Sequence, residues 1–114
     1  MTLSDKGSRG ERVDRSGPAL KAWLEERGAT ICKAELLPDD LKSISAILEV
    51  WCDSGGIDLV VTTGGTGVSP RDVTPEATMA VVDRLLPGFG EEMRRVSMGK
   101  TPHAIISRAV AGIR

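Results

Sequence analysis

The stretch Asp58-Leu59-Val60-Val61-Thr62-Thr63-Gly64-Gly65-Thr66-Gly67, followed closely by Arg71-Asp72-Val73-Thr74-Pro75-Glu76, constrains this chain more than any other feature. An apolar run enters a turn made almost wholly of Gly and Thr. The turn leads through an Arg-Asp pair to a helix start. Its glycines let the backbone approach a ligand and take positive φ without Cβ strain. Thr hydroxyls and free N–H groups then face outward as donors. Small hydroxyls, bare backbone and one carboxylate suit a site for phosphates and a hard cation.

The rest of the chain alternates strand and helix around that turn. Thr2-Leu3-Ser4-Asp5 reads as the end of a strand running into a polar surface loop from Lys6 to Arg15. Ser16-Gly17-Pro18 starts a helix whose apolar face is Leu20, Trp23 and Leu24, and Gly28 ends it. Thr30 to Leu37 is a second strand. Pro38-Asp39-Asp40 stops it and caps a helix with Ile44, Ile47, Leu48 and Trp51 at helical spacing. Ile57 to Thr62 is β-branched with little alternation, as in a strand covered on both faces. Thr74 caps a helix with Pro75 at its first position and Ala77, Val81 and Leu85 on its inner face. Pro87-Gly88 breaks it. Phe89, Met93 and Val96 mark another helix, Pro102 to Ser107 has room for a short one, and Ala109 to Ile113 reads as a last strand. This order predicts a single α/β domain over residues 1–114, three-layered (α/β/α), with a mostly parallel sheet. Ligands of such sheets sit beyond the carboxyl ends of the strands. The loops at Ser4-Asp5, Pro38-Asp39-Asp40 and Gly64 to Asp72 all follow strands and so belong on one edge.

Charge and composition exclude several classes. The 114 residues carry 15 basic and 16 acidic side chains, a net charge of −1, which argues against bulk attraction to nucleic acid or membrane. No apolar run is long enough to span a bilayer, and the first residues lack a leader pattern. Cys32 and Cys52 have no CxxC spacing and read as buried or half-buried free thiols of the reducing cytoplasm. The aromatic residues are Trp23, Trp51 and Phe89, too few for base-stacking platforms. The Met and Trp positions read as core.

Each candidate site residue has a plain reading beside the functional one. The Gly turn could be only a tight connection; its flanking strand and Thr74-Pro75 favour phosphate. It lacks the Lys-Ser/Thr of a Walker A loop and does not match GxGxxG. With no loop lysine, charge on a polyphosphate would need a metal ion and arginines from elsewhere, Arg71 being nearest. Asp72 is either a helix-dipole carboxylate or a Mg²⁺ ligand. One of Asp39 and Asp40 is the N-cap of the next helix, leaving the other to face the site. Ser4 and Asp5 are turn residues or site residues. His103, the single histidine, reads as a surface or packed residue, and zinc is disfavoured. Ser107-Arg108 is polar surface or a hydroxyl-and-fork pair for a terminal phosphate.

Thr62 to Gly67, Arg71 to Thr78, Pro87-Gly88 and Ser107-Arg108 together resemble the MoaB/Mog family of molybdopterin adenylyltransferases, as do Ser4-Asp5, Asp14-Arg15-Ser16-Gly17 and Pro38-Asp39. That family includes the G domain of gephyrin and its plant relative. The resemblance covers almost the whole chain and is most specific from Thr62 to Thr78. That segment also recurs in molybdopterin molybdotransferase and in competence-damage-type proteins. The Asp14-to-Pro18 pattern and Ser107-Arg108 favour the stand-alone Mog type. The resemblance implies helices on both faces of the sheet, a homotrimer, and binding of molybdopterin with ATP as co-substrate and Mg²⁺ as cofactor. In catalytic members the molybdopterin phosphate attacks the α-phosphorus of Mg-ATP and pyrophosphate leaves. Carried over by position, Asp72 and Asp39 would be the essential carboxylates and metal ligands. Thr63, Gly64, Gly65, Thr66 and Gly67, with Ser4 and Asp5, would cradle phosphate or pterin, and Ser107 would anchor the molybdopterin phosphate. A molybdate-inserting enzyme of the same pathway is the implied partner. A non-catalytic binding module, or a domain of a larger protein, would use the same residues. The family extends beyond Arg114 into a further strand, a Pro-Gly-Ser-type loop and a closing helix, and upstream of Thr2 into more of the first strand. The expectation for the chain as written is therefore low stability and little activity.

Overall fold

A computed structural model describes residues 1–114. Its organising element is β1 (Thr2–Leu3), which sits between two parallel neighbours. On one side runs β2 (Leu36–Leu37), where Thr2 N–H donates to Glu35 O at 2.8 Å and Ser4 N–H to Leu37 O at 2.9 Å. On the other side Leu3 N–H donates to Thr63 O at 2.8 Å and Thr63 N–H to Met1 O at 3.0 Å. The Met1 ammonium extends that ladder to Val61 O at 2.9 Å. Strand order is thus 35–37, 1–4, 61–63, all parallel, with their carboxyl ends on one edge.

The expected strands are shorter than their sequence patterns. Thr30 to Leu37 contributes only Leu36–Leu37, and Ile57 to Thr62 forms no strand beyond the bridge from Thr63 to Thr2. No backbone–backbone hydrogen bond engages residues 30–34 or 57–60. A second, separate pair is antiparallel: β3 (Arg84–Leu85) lies against β4 (Gly112–Ile113). The parallel expectation therefore holds for the central ladder and not for the last strand.

The helices follow from apolar spacing and caps. After α1 (Asp5–Ser8), α2 (Ser16–Glu25) starts where Asp14 Oδ1 accepts from the N–H groups of Ser16 and Gly17. Gly28, at φ 84°, ends that turn of chain. In α3 (Leu41–Asp53), Asp40 Oδ2 caps the Ser43 N–H at 2.9 Å, and Ile44, Leu48 and Trp51 line one buried face. They pack with Met1, Leu3, Ala77 and Val81 into one cluster, and Ile44 is fully buried. Each of the fully buried Leu and Ile side chains contributes about 1.5–3 kcal/mol by leaving water.

Four expectations are corrected here. The helix α4 (Thr74–Met79) stops before Val81: Val81 still reaches the core, but Leu85 belongs to β3 and is half exposed, because Asp83 N–H and Leu86 N–H bond to Ile113 O and Ala111 O instead of continuing a helix. Thr74 does not cap α4, since its hydroxyl donates to Gly64 O at 2.9 Å. Trp51 and Met1 are core, whereas Trp23, Met79, Met93 and Met98 are exposed. Trp23 instead lies under the Arg27 guanidinium, 3.8 Å from its ring centre. Cys52 is half-buried as expected but Cys32 is exposed. The helix α5 (Pro87–Met98) forms with Phe89, Met93 and Val96 on one face, and that face is open to solvent. A 3₁₀ turn follows at Pro102–Ile106. No helix is long and apolar enough to cross a membrane.

Candidate functional site

The loops after β1, β2 and Thr63 meet at the carboxyl edge of the parallel ladder. Asp5 and Asp39 stitch the first two together. Asp5 N–H donates to Asp39 Oδ2 at 3.0 Å, and Asp39 N–H donates back to Asp5 Oδ1 at 3.0 Å. Arg71 then forks onto Asp5, with Nε to Oδ2 at 2.9 Å and Nη2 to Oδ1 at 2.8 Å. This charged pair, and secondly the Asp39 amide, hold the Asp5 carboxyl below the usual carboxylate range despite some desolvation. Ser4 is half-buried and its hydroxyl caps α1 through Gly7 N–H at 3.1 Å.

The Gly-Thr turn sits against this corner. Gly64 and Gly65 have φ of 102° and 60°, the left-handed side that favours glycine. A Cβ on Gly64 would strike the Leu3 carbonyl, and one on Gly65 would strike the Thr74 hydroxyl and lie 2.8 Å from Asp39 Oδ1. The first turn of α4 closes over them, with Thr74 N–H donating to Gly65 O at 3.1 Å. Thr63, Gly65, Thr66 and Gly67 are half-buried, and Gly64 is exposed. Past the turn, Asp72 folds back on itself: its Oδ2 accepts from Ser69 N–H at 2.9 Å while its own N–H donates to Ser69 O at 2.9 Å. That Oδ2 lies 2.8 Å from where a Gly67 Cβ would stand. Asp39 and Asp72 therefore both border the glycine turn.

The sequence pair Asp39–Asp40 divides as chemistry requires. Asp40 caps α3, and both the hydroxyl and the amide of Ser43 hold its carboxyl below the usual range. Asp39 points the other way. Its Oδ1 is buried with no hydrogen-bond partner, facing Gly65. A buried carboxylate oxygen left unpaired is costly, and a cation is the partner that removes the cost. The residues fit Mg²⁺ on that ground. No cluster of three or more His, Cys, Asp or Glu could hold an ion unaided, and Mg²⁺ commonly takes one or two carboxylates with substrate phosphates completing its shell.

Ser107 comes to the same edge from the far end of the chain. It is half-buried at the end of the 3₁₀ turn, and its hydroxyl accepts only a long bond of 3.4 Å from Ala109 N–H. The next residue corrects one reading. Arg108 turns its fork onto protein acceptors. Its N–H donates to Thr66 O at 2.8 Å, its Nε to Gly67 O at 2.7 Å, its Nη2 to Asp72 O, and its Nη1 pairs with Glu76. Arg71 is likewise engaged, by Asp5. Glu76 and Arg94, which donates from α5 to Ser107 O and Ala109 O, were not legible as site-building residues. Glu76 could have been found as an acid in the first turn of a proline-started helix, next to an otherwise unexplained Arg108. His103 is exposed and away from these contacts. A cavity of about 810 Å³ lies elsewhere, between α2 and residues 28–36 and 56–61. It is mostly apolar and holds none of the paired carboxylates of the edge, so the chemistry is assigned to the edge.

Comparison with known proteins identifies the family. Residues 1–113 match the family described as "Probable molybdopterin binding domain". The molybdopterin adenylyltransferase of Haemophilus influenzae is 47% identical over 116 aligned positions, covering 100% of this chain and 59% of that protein. The corresponding Escherichia coli K12 protein is 46% identical, with 60% of its length covered. The chain thus spans about three-fifths of the length of these relatives. Among solved structures, the molybdopterin biosynthesis enzyme MoaB of Thermus thermophilus superposes with a TM-score of 0.91 at 48% identity, covering 99% of this chain and 71% of that one. A molybdopterin biosynthesis protein of Mycobacterium abscessus gives 0.91 at 40% identity, with 98% and 70% covered. The α/β fold, the glycine turn at its carboxyl edge and the family match lead to one conclusion: the chain belongs to the molybdopterin-binding domain family, in its MoaB/Mog branch.

Proposed function

We propose that this domain serves molybdenum-cofactor biosynthesis by adenylylating molybdopterin with Mg-ATP. In that reaction an oxygen of the terminal molybdopterin phosphate forms a bond to the α-phosphorus of ATP. The bond from that phosphorus to the β-phosphate oxygen breaks, and pyrophosphate leaves. No side-chain nucleophile is needed; the chemistry rests on positioning and charge neutralisation. The Gly64–Gly67 backbone offers close approach to phosphate oxygens. Asp39 and Asp72 would hold Mg²⁺, which when bound supplies charge neutralisation on the polyphosphate. The Ser107 hydroxyl, weakly engaged, is the donor for the molybdopterin phosphate. Ser4 and Asp5 act behind these groups: Ser4 caps α1, and Asp5 fixes Asp39 and Arg71. The observation that carries the reading is the unpartnered Asp39 Oδ1 facing the glycine turn.

The test is pyrophosphate release with molybdopterin and Mg-ATP, alongside calorimetry for each ligand. Asp39→Asn and Asp72→Asn should each lose about 100-fold or more in rate. Nucleotide affinity unchanged in both variants would defeat the site assignment. Pterin binding without any nucleotide binding would favour the binding-only module. The reading extends to a cytoplasmic homotrimer that passes its product to a molybdate-inserting enzyme. The open apolar face of α5 supports self-association. Sedimentation giving only monomer at micromolar concentration would remove the trimer from the proposal.

A further inference from the structure

We infer that Arg108 is a positioning residue, a strut that sets the separation between the phosphate anchor Ser107 and the metal-side carboxylate Asp72. The inference rests on the adenylyl-transfer reading for its consequence, though not for its geometry.

Arg108 makes four connections, all to the turn and the helix behind it. Its backbone N–H holds Thr66 O at 2.8 Å, and its Nε holds Gly67 O at 2.7 Å. Its Nη2 donates to Asp72 O, and its Nη1 pairs with Glu76 Oε1 on α4. The carbonyls of Gly67 and Asp72 have no backbone donor, so without this side chain they lose their protein partner. The segment carrying Arg108 is braced from behind. Arg94 on α5 donates through Nη1 to Ser107 O at 3.1 Å and Ala109 O at 3.2 Å, one residue to either side. Force applied to the glycine turn is therefore carried through Arg108 into α5.

The same bonds disfavour direct phosphate binding as the main role, since three of the five guanidinium N–H donors are already given to protein acceptors. All three guanidinium nitrogens already face protein acceptors. A lysine could not replace them, because a single ammonium cannot span three acceptors set in the plane of a guanidinium. Ser107 is joined to Arg108 by one peptide bond, and Asp72 is held by its own carbonyl. The strut thus fixes the two ends between which the acceptor phosphate and the α-phosphorus must meet. A misplacement of about 1 Å in such a pair costs about 100-fold in rate.

The experiment compares Arg108→Gln, Arg108→Lys and Glu76→Gln with the wild-type chain. It reads amide exchange over residues 64–72, separate calorimetric affinities for Mg-ATP and molybdopterin, and single-turnover pyrophosphate release. Loss of one carbonyl bond should speed exchange in the turn about tenfold, with α3 unchanged. Each affinity should stay near wild type while the turnover rate falls about 100-fold. Arg108→Lys should keep the charge without restoring the rate, and Glu76→Gln should show the same pattern more weakly. If Arg108→Gln fails to fold, Glu76→Gln and Arg108→Lys carry the decision. Unchanged turn exchange with a large loss of phosphate affinity would overturn the inference, making Arg108 a ligand. Wild-type exchange and rate in Arg108→Lys would overturn it as well. If the wild-type chain neither binds nucleotide nor releases pyrophosphate, adenylyl transfer fails, while the exchange measurements still decide the strut.

Discussion

Gly65 meets Thr74 on one side and Asp39 on the other, at φ 60°. A methyl group there adds left-handed backbone strain of about 1–2 kcal/mol to a collision with the hydroxyl that holds the turn closed. Gly65→Ala should lower the unfolding free energy from urea titration by at least that much and abolish nucleotide binding by calorimetry. Wild-type binding would show that the turn is only a connection. Asp5 gives a pH prediction with a definite sign. Arg71 depresses its carboxyl in the folded state, so its stabilising effect is complete above the ordinary carboxylate value of about 4. It drains away as pH falls through the folded value. Asp14, Asp40, Asp53 and Glu76 are depressed too and share that sign. The thermal midpoint should hold from pH 7 to 5 and fall below 4, and Asp5→Asn should fall less steeply; parallel curves by circular dichroism would refute the pairing. At this scale the sequence revealed types better than duties. It presented Asp39 and Asp40 as one cap and one free acid, and only the fold shows which is which. It left Ser107-Arg108 as either polar surface or a phosphate pair, because nothing local reveals that the side-chain acceptors of Arg108 lie 32 to 41 residues earlier.

Secondary structure was legible where local chemistry decided it. The helix α3 has its cap, its apolar spacing and its length written in consecutive residues. Asp40→Ala should cost about 1 kcal/mol, a fall of roughly 4–8 °C in thermal midpoint for a domain near this size. A change of under 1 °C would mean that packing of Ile44, Leu48 and Trp51 alone sets the start of α3. Elements decided by distant partners were less legible. Leu85 carries the right spacing for an inner helix face, but Gly112 and Ile113 capture its neighbours into an antiparallel pair. Residues 30–34 and 57–60 have strand composition without strand pairing. β propensity expresses a fit to neighbouring strands more than a backbone preference, so pattern alone overstated both. Phe89, Met93 and Val96 formed the expected stripe, yet periodicity cannot say whether a stripe meets its own core or another surface.

Across the whole molecule, the central ladder is short relative to the segments that flank it. No backbone–backbone hydrogen bond engages residues 30–34 or 57–60. Between them lies the 810 Å³ cavity, lined by Leu20, Leu24, Trp51, Ile57 and Val60 and ending at Met1. The register on both sides is already set. Odd-numbered β1 residues bond toward 61 and 63, and even-numbered ones toward 35 and 37. Extended residues joined to the Met1 nitrogen would continue this alternation, first opposite Lys33 and Glu35 and then opposite Leu59 and Val61. Five such residues span about 17 Å and would bury apolar side chains on both faces. A Val/Ile-rich five-residue extension should therefore raise both the urea midpoint and the m-value, since m grows with the surface exposed on unfolding. It should also protect the amides of Glu35 and Val61 from exchange. A Gly/Ser extension of equal length should do neither, because it offers the ladder no side chains to bury. Equal midpoints for the two extensions would mean that the cavity is closed by rearrangement of α2 rather than by strand pairing. In that case Leu20 and Leu24, half-buried here, should become fully protected in the unextended chain.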